Sequence, residues 1–270
     1  MGIVAMTREL GSLGTYIAER LAQRRGYRHV RREILAEAAR FGEISEQQLL
    51  ESVEAPPGLW ERLSEPGRRN YLHVAAAVLA FAAEDNVVLL GRWSTMLLRG
   101  VRHAVRVRVC APLEVRVGRL ADRLHIPRVE ARALAQRYDA GVRARLRQFF
   151  DVEWEDSDLY DLVINTERIT VEEGCGLIER LLDAPEFQAD EASRQEVRDR
   201  ALAARVAEAL KMDARLARSD LQVTAHRGVV TLGGLVFSAE ECLAASEVAG
   251  RVPEVAAVQN TVKVARIVPE

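Results

Sequence analysis

Residues 3–18 read IVAMTRELGSLGTYIA, and this stretch decides the fold. The apolar run Ile3–Met6 predicts a short strand, Gly11 and Gly14 predict a tight turn, and the following residues fit a helix over about 15–25. A strand that passes through a glycine turn into a helix places backbone N–H groups at the helix N-terminus, where they can bind an anion. The GxxxxGK[ST] pattern is not met because no lysine follows Gly14, and glycine spacing alone also fits an ordinary strand-to-helix turn.

The first 183 residues continue this alternation of short apolar runs and amphipathic segments. Further strands are predicted at 86–90 (NVVLL), 104–109 (AVRVRV) and 159–165 (LYDLVIN). Helices are predicted over 33–40, 71–83, 113–124, 128–149 and 171–182. Because parallel strands need helical crossovers of one hand, this order predicts an α/β fold, a three-layer parallel sheet with helices on both faces.

The composition changes around residue 184. The run DAPEFQADEASR is polar and acidic, and Pro185 cannot continue the preceding helix. We predict a linker over 184–194, a first domain over 1–183 and a second over 195–266. The second domain shows a helix over about 196–210, two strands around a turn at 227–228, a helix over 239–249 and a closing strand. This order predicts a small α+β unit of the type α-β-β-α-β.

Composition restricts the class of protein. The chain has 270 residues, 49% hydrophobic and 29% charged, which is enough apolar material for a buried core. Mean hydropathy is -0.09 and no apolar run approaches the ~20 residues that span a bilayer, so we expect a cytoplasmic protein. The three cysteines form no CxxC pair and the five histidines form no HxxxH pair. We therefore expect neither a disulfide framework nor a metal site built from these side chains.

The basic residues are almost all arginine. Of 38 lysines and arginines, only Lys211 and Lys263 are lysine, so any cationic side chain in a site of the first domain must be a guanidinium. The formal net charge is -2 and there is no strongly basic tail. We therefore do not expect nucleic acid as a partner.

A family resemblance covers residues 1–183. IVAMTRELGSLGTYIAERLAQRRGY followed by RREILAEAA resembles the opening of the cytidylate kinase-like P-loop family, whose members typically read I-T-I-S-R-x-x-G-S-G-G-x-x-I-A and then G-Y-x-Y-x-D-R-E-I-L. The resemblance continues in order through VVLLGRWSTMLLRG, VRVCAPLEVRVGRL and FFDVEWEDSDLYDLVINT. It implies a P-loop NTPase-type parallel sheet with a helical lid. It also implies ATP- and Mg²⁺-dependent phosphoryl transfer to a nucleoside monophosphate.

The same resemblance implies residue roles. Loop N–H groups would cradle the donor β-phosphate, an arginine at the end of a strand would hold the acceptor phosphate, and lid arginines would close over both. The nucleotide-binding residues it implies are Gly11, Ser12, Gly14, Thr15, Arg92 and Asp139. The catalytic residues it implies are Arg8, Arg143 and Arg147. Arginine suits this role because phosphoryl transfer depends mainly on positioning and on positive charge around the transferred group.

The chain departs from the family pattern at several positions. Leu13 replaces the third loop glycine, Arg31 replaces the aspartate of D-R-E-I-L, and Trp93 follows the Gly-Arg pair where a small or acidic residue is usual. Val142 falls where a lid arginine is common. For Mg²⁺, the candidate ligands near the loop are Ser12, Thr15 and Glu9. These departures keep a second interpretation open, a catalytically impaired nucleotide sensor or scaffold.

Residues 195–266 are similar to a BON domain. The matching positions are an x-G-x-V-x-L-x-G run from Gly228 to Gly234 and a closing V-x-x-V-x-N-x-V at 255–262. That family is associated with phospholipid surfaces or small ligands and with regulatory or scaffolding roles. The segment has no basic cluster, so attachment to a membrane surface is a weaker expectation here. We expect a regulatory module that acts through a protein partner or through self-association.

Overall fold

Residues 2–42, 45–47, 49–50, 65–91 and 93–265 are described by the computed structural model of the chain. The first domain is built on a five-stranded sheet in the order β2-β3-β1-β4-β5, in which every neighbouring pair is parallel. Its strands are β1 (Ile3–Arg8), β2 (Arg28–Val30), β3 (Val87–Leu90), β4 (Ala104–Cys110) and β5 (Leu162–Asn165). The helices are α1 (Gly14–Arg25), α2 (Glu33–Gly42), α3 (Glu65–Ala83), α4 (Ser94–Leu97), α5 (Leu113–Leu124), α6 (Arg128–Phe150) and α7 (Val171–Asp183).

Helices cover both faces of this sheet. Ile3, Val4, Ala5 and Met6 of β1 are all fully buried, as expected for a central parallel strand with an apolar layer on each side. Val4 and Met6 pack with apolar residues of α1 and α7, and Ile3 and Ala5 pack with α2 and α3. The predicted three-layer parallel architecture is confirmed.

Helices α5 and α6 form a separate pair beside the end of the sheet. They share a small apolar core of Val117, Leu120, Ala131 and Ala135. The helix predicted as the lid, over 128–149, is α6, and it contacts the end of β1 through Tyr138 and Arg8.

The second domain has the predicted order of elements. Its elements are α8 (Glu191–Met212), β6 (Asp220–His226), β7 (Val229–Val236), α9 (Ala239–Gly250), β8 (Ala257–Asn260) and β9 (Lys263–Val264). β6 and β7 form an antiparallel hairpin, and the predicted closing strand is two short strands that both pair parallel with β7. Arg227 and Gly228 have φ values of 48° and 82°, the left-handed pair of a type I′ turn.

Helix α8 joins the two domains. It begins at Glu191, inside the segment predicted as a linker, and Val197 and Ala201 belong to the apolar core of the first domain. Leu202 and other residues further along the helix belong to the core of the second domain. A buried contact between His73 Nδ1 of α3 and Glu208 Oε1, 2.5 Å long, links the two parts again. The domain boundary over 184–194 stays a prediction. Helix α8 begins within that segment, and its residues pack in the cores of both domains.

Several elements differ from the sequence expectations. β2, which has only three residues, of which Val30 alone is buried, and the short helix α4 were not predicted, and α3 begins at Glu65 instead of residue 71. β5 begins three residues later than expected because Ser157–Leu159 form a turn of 3₁₀ helix. Across the ranges that the structure describes, no helix combines the length and the apolar character needed to cross a membrane.

Candidate functional site

The loop after β1 lies at the carboxyl end of the central strand. β1 is flanked by β3 on one side and β4 on the other, the position at which open parallel sheets bind ligands. Residues 9–13 connect β1 to α1. The loop is fixed to β4, because Glu9 N donates to the carbonyl of Val109 at 3.0 Å and Ser12 Oγ donates to the same carbonyl at 3.0 Å.

The loop requires glycine at two positions for different reasons. Gly11 has φ +86°, and a Cβ there would lie 3.0 Å from the carbonyl oxygen of Arg116. At Gly14, a Cβ would lie 2.7 Å from Cβ of Arg8. Leu13 also adopts a left-handed conformation, with φ 63° and ψ 3°. This conformation favours glycine and costs a residue with a side chain about 1–2 kcal/mol.

The first N–H groups of α1 face an open cavity. The residue before this helix provides no side-chain cap, and within the described residues nothing accepts a hydrogen bond from the N–H of Gly14, Thr15 or Tyr16. These three residues line a cavity of about 750 Å³. Leu13 lies at the wall of this cavity without closing it. Uncapped N–H donors at a helix start, facing open space, form an anion-binding site.

Arginines surround this cavity. Arg8 Nε donates to Thr15 Oγ1 at 2.9 Å, and its NH1 donates to the hydroxyl of Tyr138 on α6 at 2.5 Å. Arg119 is held by Thr166, donating to its carbonyl at 2.7 Å. Burial lowers the pKa of Arg119 from its ordinary value. Arg31 and Arg123 also line the cavity, and so do the acidic residues Glu9, Glu19 and Asp122.

The structure brings only part of the predicted site together. The predicted residues that line the cavity are Arg8, Gly11, Ser12, Gly14 and Thr15. The Ser12 hydroxyl donates to the carbonyl of Val109 on β4. Arg92 lies outside the described residues. Arg143 and Arg147 do not line the cavity.

Those two lid arginines are paired instead with the segment that follows α6. Arg143 Nε lies 2.5 Å from Glu155, and Arg147 donates to both carboxylate oxygens of Glu153 at 2.9 and 2.6 Å. All four side chains are exposed.

Asp139 lies behind the loop in a buried network of charges. Its Oδ2 is 2.9 Å from NH1 of Arg116, which also donates to the carbonyl of Leu10 at 3.3 Å. Arg116 Nε lies 3.2 Å from Glu9, and Glu9 also accepts from NH2 of Arg108 at 2.8 Å. All four charged side chains are at least nine-tenths buried. Through Arg116, helix α6 and the start of the loop after β1 are therefore joined.

The Asp139 carboxyl makes stability depend on pH. Burial raises its pKa above the ordinary value, and the attraction of Arg116 only partly opposes this. Because the folded state holds this proton more tightly than the unfolded chain does, lowering the pH from about 7 towards 5 stabilises the fold through this group. We expect the unfolding free energy of the wild type, measured relative to Asp139→Asn in urea titrations, to rise over that interval. A difference that stays constant or falls would contradict this.

The opposite side of the sheet end has much less space. Gly91 follows β3 and donates to the carbonyl of Met6 at 2.7 Å. Trp93 has φ 63° and its ring lies in an aromatic cluster, 5.5 Å from Tyr71 and 5.2 Å from Phe149 between centroids. The cavity here is about 40 Å³. Trp93 thus packs into the protein.

Sequence reasoning missed several residues of the cavity wall. Arg119 and Arg123 are four residues apart on α5, a spacing that places both on one helix face. That spacing was a usable signal, although it does not tell which face meets the loop. Arg31 was singled out only as a departure from the family pattern, and Tyr138, which bonds Arg8 without lining the cavity, gave no local signal. Their relation to the loop depends on the packing of α6 and β2.

The residues at the loop fit a nucleotide and its Mg²⁺ in different degrees. Gly11 and Gly14 allow the loop to pack closely against Arg116 and Arg8, and the uncapped N–H groups that follow suit phosphate oxygens. Nowhere in the described ranges do three or more His, Cys, Asp or Glu side chains form a metal-binding group. Mg²⁺ commonly takes one or two protein ligands together with substrate phosphates and water. All three candidates have partners in the structure: Glu9 is held by arginines, Ser12 donates to Val109, and the Thr15 hydroxyl, which lines the cavity, accepts from Arg8.

Comparison with known families agrees with both resemblances. Residues 3–168 match the Cytidylate kinase-like family, and residues 198–266 match the BON domain. The family resemblances predicted from the sequence motifs are therefore confirmed.

Individual relatives match the first domain over most of their length. A cytidylate kinase of Methanopyrus kandleri is 28% identical over 181 residues, which span 64% of this chain and 89% of that protein. A cytidylate kinase of Methanocaldococcus jannaschii is 25% identical over 175 residues, spanning 64% and 93%. The crystal structure of an uncharacterized protein from Eubacterium ventriosum superposes with a TM-score of 0.52 at 17% identity, covering 68% of this chain and 99% of that one. This structural likeness concerns the fold.

Proposed function

The chain belongs to the cytidylate kinase-like family, and from this premise we propose that it transfers the terminal phosphoryl group of a nucleoside triphosphate to a nucleoside monophosphate. One observation carries the proposal. A cavity of about 750 Å³ opens where the uncapped N–H groups of Gly14, Thr15 and Tyr16 meet the guanidinium of Arg8. Backbone donors and a fixed cation at one point suit a polyphosphate.

The roles of the loop residues follow from this arrangement. The N–H groups at the start of α1 bind donor phosphate oxygens, and Arg8 places positive charge beside them. The Thr15 hydroxyl would hold Mg²⁺ on giving up its bond from Arg8, and the ion would supply further positive charge to the phosphates. The bond from Arg8 to Tyr138 sets the position of that guanidinium before the nucleotide arrives. Charge fixed in advance around the transferred group is the main source of rate in this chemistry.

The lid arginines act by exchanging partners. Arg143 and Arg147 are held by glutamates in exposed ion pairs, and such pairs contribute only about 0.2–1 kcal/mol each. Phosphate oxygens can therefore displace Glu155 and Glu153 at little cost. In this proposal, the two arginines reach the transferred phosphoryl group only when the end of α6 closes, and Arg92 holds the acceptor phosphate.

A second function, nucleotide binding without transfer, is favoured by the acceptor side. The cavity between Met6, Gly91, Trp93 and Arg145 is about 40 Å³, whereas sites for small organic ligands are typically about 300–1,000 Å³. In this alternative, the loop still binds a nucleotide and the second domain transmits the bound state to a partner.

Two measurements separate these functions. Calorimetric titration with ATP, ADP, CMP and dCMP, with and without Mg²⁺, tests binding, and a coupled assay of ADP release tests transfer to each monophosphate. ADP release above background supports the kinase. Binding without release supports the sensor, and no binding of any nucleotide below millimolar overturns both. Gly14→Ala is the control with a distorted loop, because the Cβ of alanine would meet the Arg8 side chain.

Replacing Leu13 tests whether its side chain crowds the site. We expect Leu13→Gly to bind ADP severalfold more tightly, since it removes a side chain from the cavity wall and keeps the left-handed backbone. Its stability should change little, because relief of strain offsets the roughly 0.5–1 kcal/mol entropic cost of glycine. Leu13→Ala is the matched control that shortens the side chain and retains the strain. Weaker ADP binding by Leu13→Gly in calorimetry would contradict this expectation.

A further inference from the structure

Strand β6 is an unusually long and unprotected sheet edge. The other edge strands in the described part of the chain are short, with three residues in β2, four in β5 and β8, and two in β9, whereas β6 has seven. Proteins usually protect an edge by making it short or by placing charges, proline or a bulge on it. Residues 221–225 read LQVTA, and their pairing with β7 is unbroken. Between its titratable end residues Asp220 and His226, this edge carries no charge, proline or bulge.

The hairpin geometry shows which backbone groups face outward. The two-residue turn is closed by the pair His226 and Val229, so the residues of β6 bonded to β7 are His226, Thr224 and Gln222. The N–H and C=O groups of the alternate residues, Leu221, Val223 and Ala225, point away from β7. No described strand pairs with this side of β6.

We propose that β6 pairs antiparallel with β6 of a second copy of this chain, about a two-fold axis at Val223. In this register, Leu221 of one copy lies opposite Ala225 of the other, and the two Val223 residues face each other. These are the residues with outward backbone groups, so each pair can exchange two hydrogen bonds. The segment DLQVTAH is self-complementary in this arrangement, because Asp220 lies opposite His226 and Gln222 lies opposite Thr224. An isologous contact of this kind closes a dimer.

A groove beside the strand can receive a side chain of the second copy. It measures about 450 Å³ and runs between β6 and α8, lined by Val223 and Ala225 on one side and by Asp199 and Ala203 on the other. The side chains of Leu221, Val223 and Ala225 are partly buried against the core of the second domain. Leu221 of the second copy, opposite Ala225, would project from the same face and enter the groove.

The expected dimer is reversible. Pairing of one strand with its copy buries less than the roughly 1,200–2,000 Å² of a stable interface, so we expect dissociation in the micromolar range. Since α8 packs in both domain cores, the dimer would hold two phosphate-binding loops in a fixed relation. The inference does not depend on phosphoryl transfer.

Sedimentation equilibrium of the full chain over a wide concentration series tests the interface. The wild type should show a monomer–dimer equilibrium. Gln222→Lys/Thr224→Lys places like charges opposite each other across the two-fold axis and should weaken the dimer at least about tenfold. Thr231→Lys/Gln259→Lys is the matched control, since it adds the same charges to the same sheet face on β7 and β8. It should dimerise like the wild type.

A charge-paired variant makes the test independent of a folding defect. Gln222→Glu/Thr224→Lys changes the same two positions but sets opposite charges across the axis, so its dimer should be as tight as that of the wild type or tighter. A wild type that stays monomeric throughout the series overturns the proposal. Equal dissociation constants for Gln222→Lys/Thr224→Lys and its control overturn it too.

Discussion

Arg116→Met is expected to lower the free energy of unfolding by about 3–5 kcal/mol, the range found when one partner of a buried ion pair is removed. Arg116 lies between Glu9 and Asp139, at 3.2 Å and 2.9 Å, and all three side chains are almost fully buried. Methionine keeps much of the volume of the arginine stem. The loss therefore comes from two carboxylates left in the interior without their shared cation, together with the lost hydrogen bond to the carbonyl of Leu10.

The matched control lies on the same two helices. Arg128 of α6 pairs with Glu114 of α5 at 3.3 Å, but both side chains are about 60% exposed. We expect Arg128→Met to cost less than about 1 kcal/mol. Chemical denaturation of both variants and the wild type measures the difference. If Arg116→Met costs no more than Arg128→Met, the buried network does not hold α6 to the loop.

Arg8→Ala is expected to reduce phosphoryl transfer by about 10²–10³-fold, the usual effect of removing one preorganised charge-stabilising group. The Arg8 guanidinium lies at the cavity, bonded to Thr15 and Tyr138, and so occupies a fixed place beside the helix N-terminus. Binding of ADP should weaken by about tenfold or more, since a hydrogen bond to a charged group contributes about 1.5–3 kcal/mol. Arg8→Lys should retain only part of the activity and affinity. A lysine ammonium cannot reproduce the forked guanidinium that bonds to both Thr15 and Tyr138.

Steady-state ADP release and calorimetric titration measure the two effects. The control is Arg20→Ala, which removes a guanidinium from the exposed side of α1, where Arg20 pairs with Glu172. That variant should keep the wild-type rate and affinity. Unchanged turnover in Arg8→Ala would show that Arg8 does not take part in catalysis. Unchanged affinity for ADP would show that the Arg8 guanidinium does not bind the phosphates.

Local patterns were enough to predict much of the fold. β1, the loop and α1 are adjacent in the chain, so apolar runs and glycine spacing predicted them together. β3 and β4 were predicted for the same reason, since each is a short apolar or alternating run. β2 was missed because a strand of three residues with one buried side chain carries almost no pattern.

The site was predicted less completely because its geometry depends on contacts between distant parts of the chain. The alternation in AVRVRV predicts a strand, yet Arg108 is buried only because Glu9, 99 residues away, accepts its hydrogen bond. The position of Arg8 depends on Tyr138, which is 130 residues distant. Replacement of the loop glycine at Leu13 was visible in the sequence, but only the backbone angles show that the loop keeps its left-handed turn.

Helix α8 makes the fusion of the two domains difficult to reverse. A shortened gene whose product ended before this helix would leave the apolar wall beneath Val197 and Ala201 open to water, and His73 would lose its carboxylate neighbour. Such a fragment would expose apolar surface to water and would tend to aggregate. The first domain thus needs the start of α8 to close its core.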